Sequence, residues 1–192
     1  FYAAHFAKAG ANVVLMTRTP EAYYSDDMGV CDDGSSYESP PAPIFIESCN
    51  GDFEFIPKDI ILLDKEDPLL LKDYRFDLLV VATKVDVTRD MVSLISPFMG
   101  PDTLLLLIQN GLFIEDTYVK TFSQPIIRGL AFLCANRVSK RHVLHLDYGA
   151  LTLGYVQGNG PAPLLADLVL GMDVSVSWTH TIDRSIWEKL VW

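Results

Sequence analysis

The chain has 192 residues, enough for one α/β domain with a substantial core, and its 49% hydrophobic against 21% charged residues exclude a disordered chain. The net charge of −10, from 15 Lys+Arg against 25 Asp+Glu, argues against a general nucleic-acid binder, which needs a basic face to displace counterions. Cys31, Cys49 and Cys134 form no CxxC pair, so no zinc site or disulfide framework is expected and a reducing compartment is the natural setting.

The first ten residues read as a helix, with Tyr2, Phe6 and Ala9 recurring on one side and Gly10 as its C′ residue. A short buried strand follows over 12–17 and ends at Arg18. From 20 to 43 the chain is rich in Asp, Ser, Gly and Pro and reads as a loop. Strands over 44–47 and 53–56 flank Asn50-Gly51, a hairpin signal, and 60–63 adds a short strand. Residues 78–82 form a continuous apolar run suited to a strand buried on both faces. A helix is expected over 87–99, a buried strand over 103–108 and a helix over 115–122. Strands are expected over 126–133, 143–146 and 151–155, with Gly149 and Gly154 as punctuators. A helix over 161–170, a half-buried strand over 173–178 and a helix over 182–192 complete the chain. No apolar run reaches the roughly 18 residues of a membrane span. The chain begins at Phe1, and Val191-Trp192 stop inside an apolar pattern, so both ends are expected to be cuts through structure. Helices alternating with apolar strands predict an α/β fold, a Rossmann-like, doubly wound, mostly parallel sheet.

In such sheets ligands bind beyond the carboxyl ends of the strands. Three expected strands end in polar residues: Arg18, Thr83-Lys84 and Gln109-Asn110-Gly111. Where a dinucleotide fold usually places an acidic residue on the ribose 2′-hydroxyl, this chain has Arg18. A guanidinium suits a 2′-phosphate and favours NADP over NAD; otherwise it is a surface arginine. Lys84 suits a cofactor phosphate, a ribose or a substrate carboxylate. Asn110-Gly111 offers an amide near a nicotinamide or substrate carbonyl, or is a plain strand-to-helix turn. The Gly-rich turn that cradles a pyrophosphate, and the strand before it, would lie upstream of Phe1.

Lys189 shares a helix face with Ile182, Ile186 and Trp192. Desolvation there would lower its pKa toward a value useful for proton donation; the alternative is a lysine that snorkels off a buried face. Ser185 and Glu188 are spaced as a capping box, although Asp183 or Thr181 would also cap this helix. His5 and His180 are isolated. His142 and His145, three apart on a strand, point to opposite faces and make poor partners for one metal, so no metal site is expected.

These residues bring a resemblance into view. Lys8-Ala9-Gly10, Thr17-Arg18-Thr19-Pro20, Asp77-Leu78-Leu79-Val80-Val81-Ala82-Thr83-Lys84, Gln109-Asn110-Gly111 and Ile186-Trp187-Glu188-Lys189-Leu190 occur in the order and spacing of the ketopantoate reductases (2-dehydropantoate 2-reductases). His145 and Gly149 fall in a similar stretch. The chain resembles that family over almost its whole length. The resemblance implies NADPH-dependent reduction of ketopantoate to pantoate, on the route to pantothenate and coenzyme A. It implies a Rossmann domain followed by an all-helical domain, with the active site between them. Arg18 then matches the 2′-phosphate arginine, Lys84 and Asn110 match residues that contact cofactor and substrate, and Lys189 matches the lysine that protonates the carbonyl oxygen.

On this reading residues 1–181 are an NADP-binding domain incomplete at its start, and 182–192 begin the helix leading into an absent helical domain. This fragment alone is expected to be inactive. The expected partners are a small 2-oxo acid and, in a homodimer, a second copy, with no nucleic acid and no membrane. The cytoplasm is the default location, with mitochondria open. Competing readings are another Rossmann 2-oxo-acid or polyol-phosphate dehydrogenase, and a non-catalytic NADP-binding module.

Overall fold

The computed structural model describes residues 1–17, 23, 41–62, 74–84, 88–159 and 163–191. Arg18, Trp192 and most of the expected 20–43 loop lie outside the described residues. The chain divides into two compact units: Phe1–Glu66 with Leu133–Tyr148 and Leu170–Asp173, and Asp67–Phe132 with Gly149–Val169 and Val174–Trp192.

In the first unit, α1 (Tyr2–Lys8) ends as expected near Gly10, whose φ of 96° needs a residue without a Cβ penalty. Its buried face meets a hairpin of β2 (Ile44–Ser48) and β3 (Phe53–Phe55), antiparallel with Ile44 opposite Phe55. Ala4, Ile44, Ile46 and Phe55 form the core of this contact. Here β1 (Val14–Thr17) pairs in parallel with β4 (Asp59–Leu62). The far side of β2 runs parallel to the start of β8 (His142–Gln157), Ile46 lying opposite Val143.

In the second unit, β5 (Leu78–Val81), β6 (Leu104–Leu107) and the start of β7 (Ile126–Ser139) lie side by side in parallel. All four leucines of β6 are buried, as its continuous apolar run requires. Burying each removes enough apolar surface from water to contribute roughly 1.5–3 kcal/mol. Around these strands come α2 (Thr88–Ile95), a single 3₁₀ turn at Ser96–Phe98, and α3 (Asp116–Thr121). α4 (Pro163–Gly171) leads to β9 (Val176–Trp178), which pairs in parallel with β8, and the described chain closes with α5 (Ile182–Leu190). Parallel pairings therefore dominate, as a Rossmann-like α/β fold demands.

Four expectations need correction. The strands expected over 143–146 and 151–155 are one strand, β8. Gly149 does not end it but sits inside it at φ 113°, after Tyr148 at φ 63°. β7 likewise continues past 133 to Ser139, because it and β8 share the two-residue turn at 140–141. β5 is not buried on both faces: Leu79 and Val81 are buried, while Leu78 and Val80 are only partly covered. The strand expected over 173–178 shrinks to three residues, two of them exposed. Among the described residues no helix is long and apolar enough to cross a membrane.

Candidate active site

The carboxyl ends of β5 and β6 are neighbours, and one side chain joins them. Gln109 is 2% exposed. Its Nε2 donates to the Thr83 carbonyl at 3.0 Å, the Thr83 hydroxyl at 3.1 Å and the Lys84 carbonyl at 3.3 Å. Its Oε1 accepts from the Tyr118 hydroxyl at 3.2 Å. These partners also fix which end of the amide carries the protons. Gln109 points inward because it continues the alternation of β6, and the next residue, Asn110, is exposed. The following Gly111 has φ 129°, a conformation that only glycine adopts freely, and there the chain leaves the sheet.

α5 delivers the other half of the site. Ile182 and Ile186 are buried against Leu130, with Leu112 and Val156 alongside. That apolar stripe fixes the roll of the helix and points Lys189 at the strand ends. Lys189 Nζ donates to Asn110 Oδ1 at 2.8 Å and to the Ala131 carbonyl at 2.7 Å. It also lies 5.2 Å from the centroid of the Phe132 ring, a cation–π distance. Burial pushes its ammonium below the ordinary lysine range, and the nearby positive charge of Arg128 pushes the same way. Of the two roles open to Lys189 in the sequence, a snorkelling lysine would place its charge in water. This one is half-buried and hydrogen-bonded toward the sheet.

The structure thus brings Lys189 and Asn110 into contact. Lys84 meets the same strand ends through its carbonyl, and its side chain is exposed. Arg18 lies outside the described residues.

Sequence reasoning missed Arg128, which is 0% exposed on β7. It pairs with Glu115, and its Nη2 donates to the carbonyls of Gln109 and Gly111 at 3.3 and 3.2 Å. The signal was a lone charge within the apolar run Ile126-Ile127-Arg128-Gly129-Leu130. Of the caps open to α5 in the sequence, the Ser185–Glu188 box is not formed and the N-cap position falls to Thr181. Thr181 makes no side-chain cap bond, and Ser185 lies inside the helix with its hydroxyl on the Thr181 carbonyl. Glu188 instead pairs with Arg184 one turn back. A cleft of about 320 Å³ beside the first turn of α5 is lined by Tyr155, His180 and Asp183 among others, but by none of Lys84, Asn110 or Lys189.

Two of the histidines are held by hydrogen bonds. His145 is buried; its Nε2 faces the carbonyls of Asp147 and Tyr148, each at 3.1 Å, so that nitrogen carries the proton and Nδ1 accepts from the Ser48 hydroxyl at 2.9 Å. His142 meets Glu47 instead. Among the described residues no cluster of His, Cys, Asp or Glu is arranged to hold a metal ion.

Chemically, the arrangement places a partly desolvated ammonium of lowered pKa beside a carboxamide, at the strand ends where parallel α/β sheets bind ligands. The whole chain is also similar to known proteins. The sequence pattern of the ketopantoate reductase PanE/ApbA family matches residues 1–158. A 2-dehydropantoate 2-reductase of Nostoc sp. is 30% identical over 200 residues, covering 100% of this chain and 56% of the relative. Two solved 2-dehydropantoate 2-reductases superimpose over 100% of this chain and 57% of their own. That of Geobacter metallireducens GS-15 has a TM-score of 0.76 at 27% identity, and that of Methylococcus capsulatus has 0.75 at 28%. The chain therefore spans little more than half the length of these relatives. With the family pattern running through β1, the ends of β5 and β6 and the whole of β8, the chain belongs to the ketopantoate reductase PanE/ApbA family.

Proposed function

We propose that this chain is the cofactor-binding part of an NADPH-dependent reductase that converts 2-dehydropantoate to pantoate. The observation that carries the reading is the contact between Lys189 and Asn110 at the ends of parallel strands. In this reading residues 1–181 hold the cofactor, and the helix beginning at 182 leads out of that part.

The donor set at the strand ends fits a nicotinamide dinucleotide phosphate. Lys84 presents an exposed ammonium suited to a phosphate or ribose oxygen, and Asn110 presents a carboxamide. Arg18 is the proposed partner of the 2′-phosphate, since a guanidinium fork matches phosphate geometry. When bound, the cofactor supplies the hydride.

The chain's own residues handle the proton. An ammonium has three N–H groups, and two of those on Lys189 go to Asn110 and Ala131. The third is the one offered to the carbonyl oxygen of a 2-oxo acid as that oxygen gains negative charge. The lowered pKa of Lys189 makes the proton easier to give. Asn110 holds the ammonium in place.

The test is NADPH oxidation by the full-length protein, with and without 2-dehydropantoate, beside its Lys189→Ala variant. Substrate-dependent oxidation that falls by about 10²- to 10⁴-fold in the variant supports both reaction and proton donor. Tight NADPH binding without turnover would instead point to another 2-oxo acid or to a non-catalytic nucleotide-binding module.

A further inference from the structure

We propose that Arg128 is a positioning residue for proton transfer: it grips the carbonyls of the residues before and after Asn110 and so holds the side-chain amide that receives Lys189. The proposal rests on the reading of Lys189 as proton donor.

Arg128 is an expensive residue at its position. It stands on β7 opposite Leu107 of β6, among buried Ile126, Ile127 and Leu130, and is itself 0% exposed. A charge in such surroundings loses its hydration, and an apolar residue of similar size would pack there without that cost. What the guanidinium supplies that no apolar residue can is a fork of N–H groups. One arm pairs with Glu115; the other reaches the carbonyls of Gln109 and Gly111, the residues immediately before and after Asn110.

The turn that it grips is one that needs gripping. Gly111 at φ 129° is free to adopt many other conformations, and Phe113 at φ 56° sits in a region that non-glycine residues seldom occupy. The base of the arginine is fixed in turn by Gly129. A Cβ there would stand 2.6 Å from Ile108 Cγ2 and 3.2 Å from Leu151 Cδ1, so β7 lies hard against its neighbours beside Arg128. A rigid strand, a planar fork and two carbonyls therefore set where Asn110 presents Oδ1, 2.8 Å from Lys189 Nζ.

Arg128 also acts on Lys189 through its charge. The charge that bears on Lys189 is that of Arg128 on β7, which is paired with Glu115 ahead of α3; Arg184 and Glu188, on α5 itself, pair with each other. Burial first and the Arg128 charge second disfavour the ammonium and lower the pKa of Lys189. Glu115 carries the opposite charge against Arg128. Removing Arg128 and removing Glu115 should consequently move the titration of Lys189 in opposite directions. Loss of stability alone would not produce opposite shifts.

The experiment uses the full-length protein with Arg128→Lys, Arg128→Met, Glu115→Gln and Lys189→Ala. The first readout needs neither cofactor nor substrate: the rate of Lys189 acetylation by acetic anhydride, followed by mass spectrometry across pH. The expected half-reaction pH rises in Arg128→Met and falls in Glu115→Gln. The second readout is kcat and KM for 2-dehydropantoate reduction. Arg128→Lys keeps the charge but loses the fork, and should lower kcat about tenfold or more while the KM for NADPH stays within about twofold, since a misplaced donor is felt in the chemical step. If the Lys189 titration moves the same way or not at all in the two variants, or if Arg128→Lys keeps wild-type kcat, the proposal is overturned. If Lys189→Ala keeps full activity, the proton-donor reading falls, and the positioning role falls with it. An inactive Lys189→Ala beside unaffected Arg128 variants removes the positioning role alone.

Discussion

The ammonium of Lys189 and the side-chain oxygen of Asn110, 79 residues apart in the chain, meet at 2.8 Å. A turn after a strand and the last turn of a helix each supply one polar atom, and packing on either side makes the pair.

The character of residue 110 should control the protonation of Lys189. Asn110→Asp puts a negative charge on the ammonium, favours its charged form and raises its pKa. On the proposed function Lys189 is a general acid and works only while protonated, so the basic limb of the pH–kcat profile of the full-length protein should move to higher pH. Asn110→Ala removes a hydrogen bond to a charged group, a contribution of about 1.5–3 kcal/mol, which corresponds to about a 10- to 100-fold loss in kcat/KM. Its basic limb should move to lower pH. Steady-state kinetics between pH 6 and 10 reads both, and parallel profiles for the two variants would contradict the contact.

His5 should make the fold acid-sensitive. The ring is 4% exposed, neither nitrogen has a hydrogen-bond partner, and it lies between the rings of Phe1 and Phe53. Burial above all pushes its pKa from 6.5 down to about 4. The unfolded chain takes up a proton below about 6.5, whereas the folded chain resists until about 4. Stability is therefore lost as pH falls through that window and levels off below it, by up to about 3 kcal/mol. Urea unfolding midpoints at pH 7.5 and 4.5 should differ in the wild type and converge in His5→Phe. An unmoved wild-type midpoint would mean that the folded ring accepts the proton.

Gly154→Ala should damage the site from a distance. A Cβ at 154 would lie 2.6 Å from Ile182 Cβ and 2.9 Å from the Thr179 carbonyl, where α5 begins. The obstruction includes backbone, so the helix must move. Overpacking of this kind costs about 1–3 kcal/mol, and displacement of α5 carries Lys189 with it. Thermal unfolding should fall together with kcat. A variant that melts lower yet keeps full kcat would show that α5 is positioned by something other than this contact.

Tyr118→Phe tests the link between stability and the strand ends. The hydroxyl donates to Gln109 Oε1 in a buried setting, and its loss should lower stability by about 1–2 kcal/mol, measured as a shift in Tm. Because Gln109 keeps its bonds to Thr83 and Lys84, the KM for NADPH should change little.

The legible parts of the fold were those written in local chemistry. The helix stop at Gly10, the hairpin at Asn50-Gly51 and the leucines of β6 each follow from a turn residue or an unbroken apolar run. So did the face of α5 that carries Lys189, because Ile182 and Ile186 repeat at helical spacing. The illegible parts depended on partners far along the chain. Gly149 looks like a strand end locally, but β8, which lies between β2 and β7 in the sheet, continues through it. Ser185 and Glu188 match a capping box in spacing, but the helix starts at Ile182, so both fall within its body. Arg128 was visible as an odd charge in an apolar strand; its purpose depends on two carbonyls that only the parallel pairing of β6 and β7 brings within reach.

Gln109 and Asn110 divide inside from outside at a single peptide bond. The first is buried and ties β6 to the end of β5, while the second faces outward and receives Lys189. In a strand the side chains alternate with a period of two, so adding or removing one residue after Leu107 would exchange the two. A carboxamide would then reach for the sheet from the wrong position, and the longer glutamine would face the ammonium.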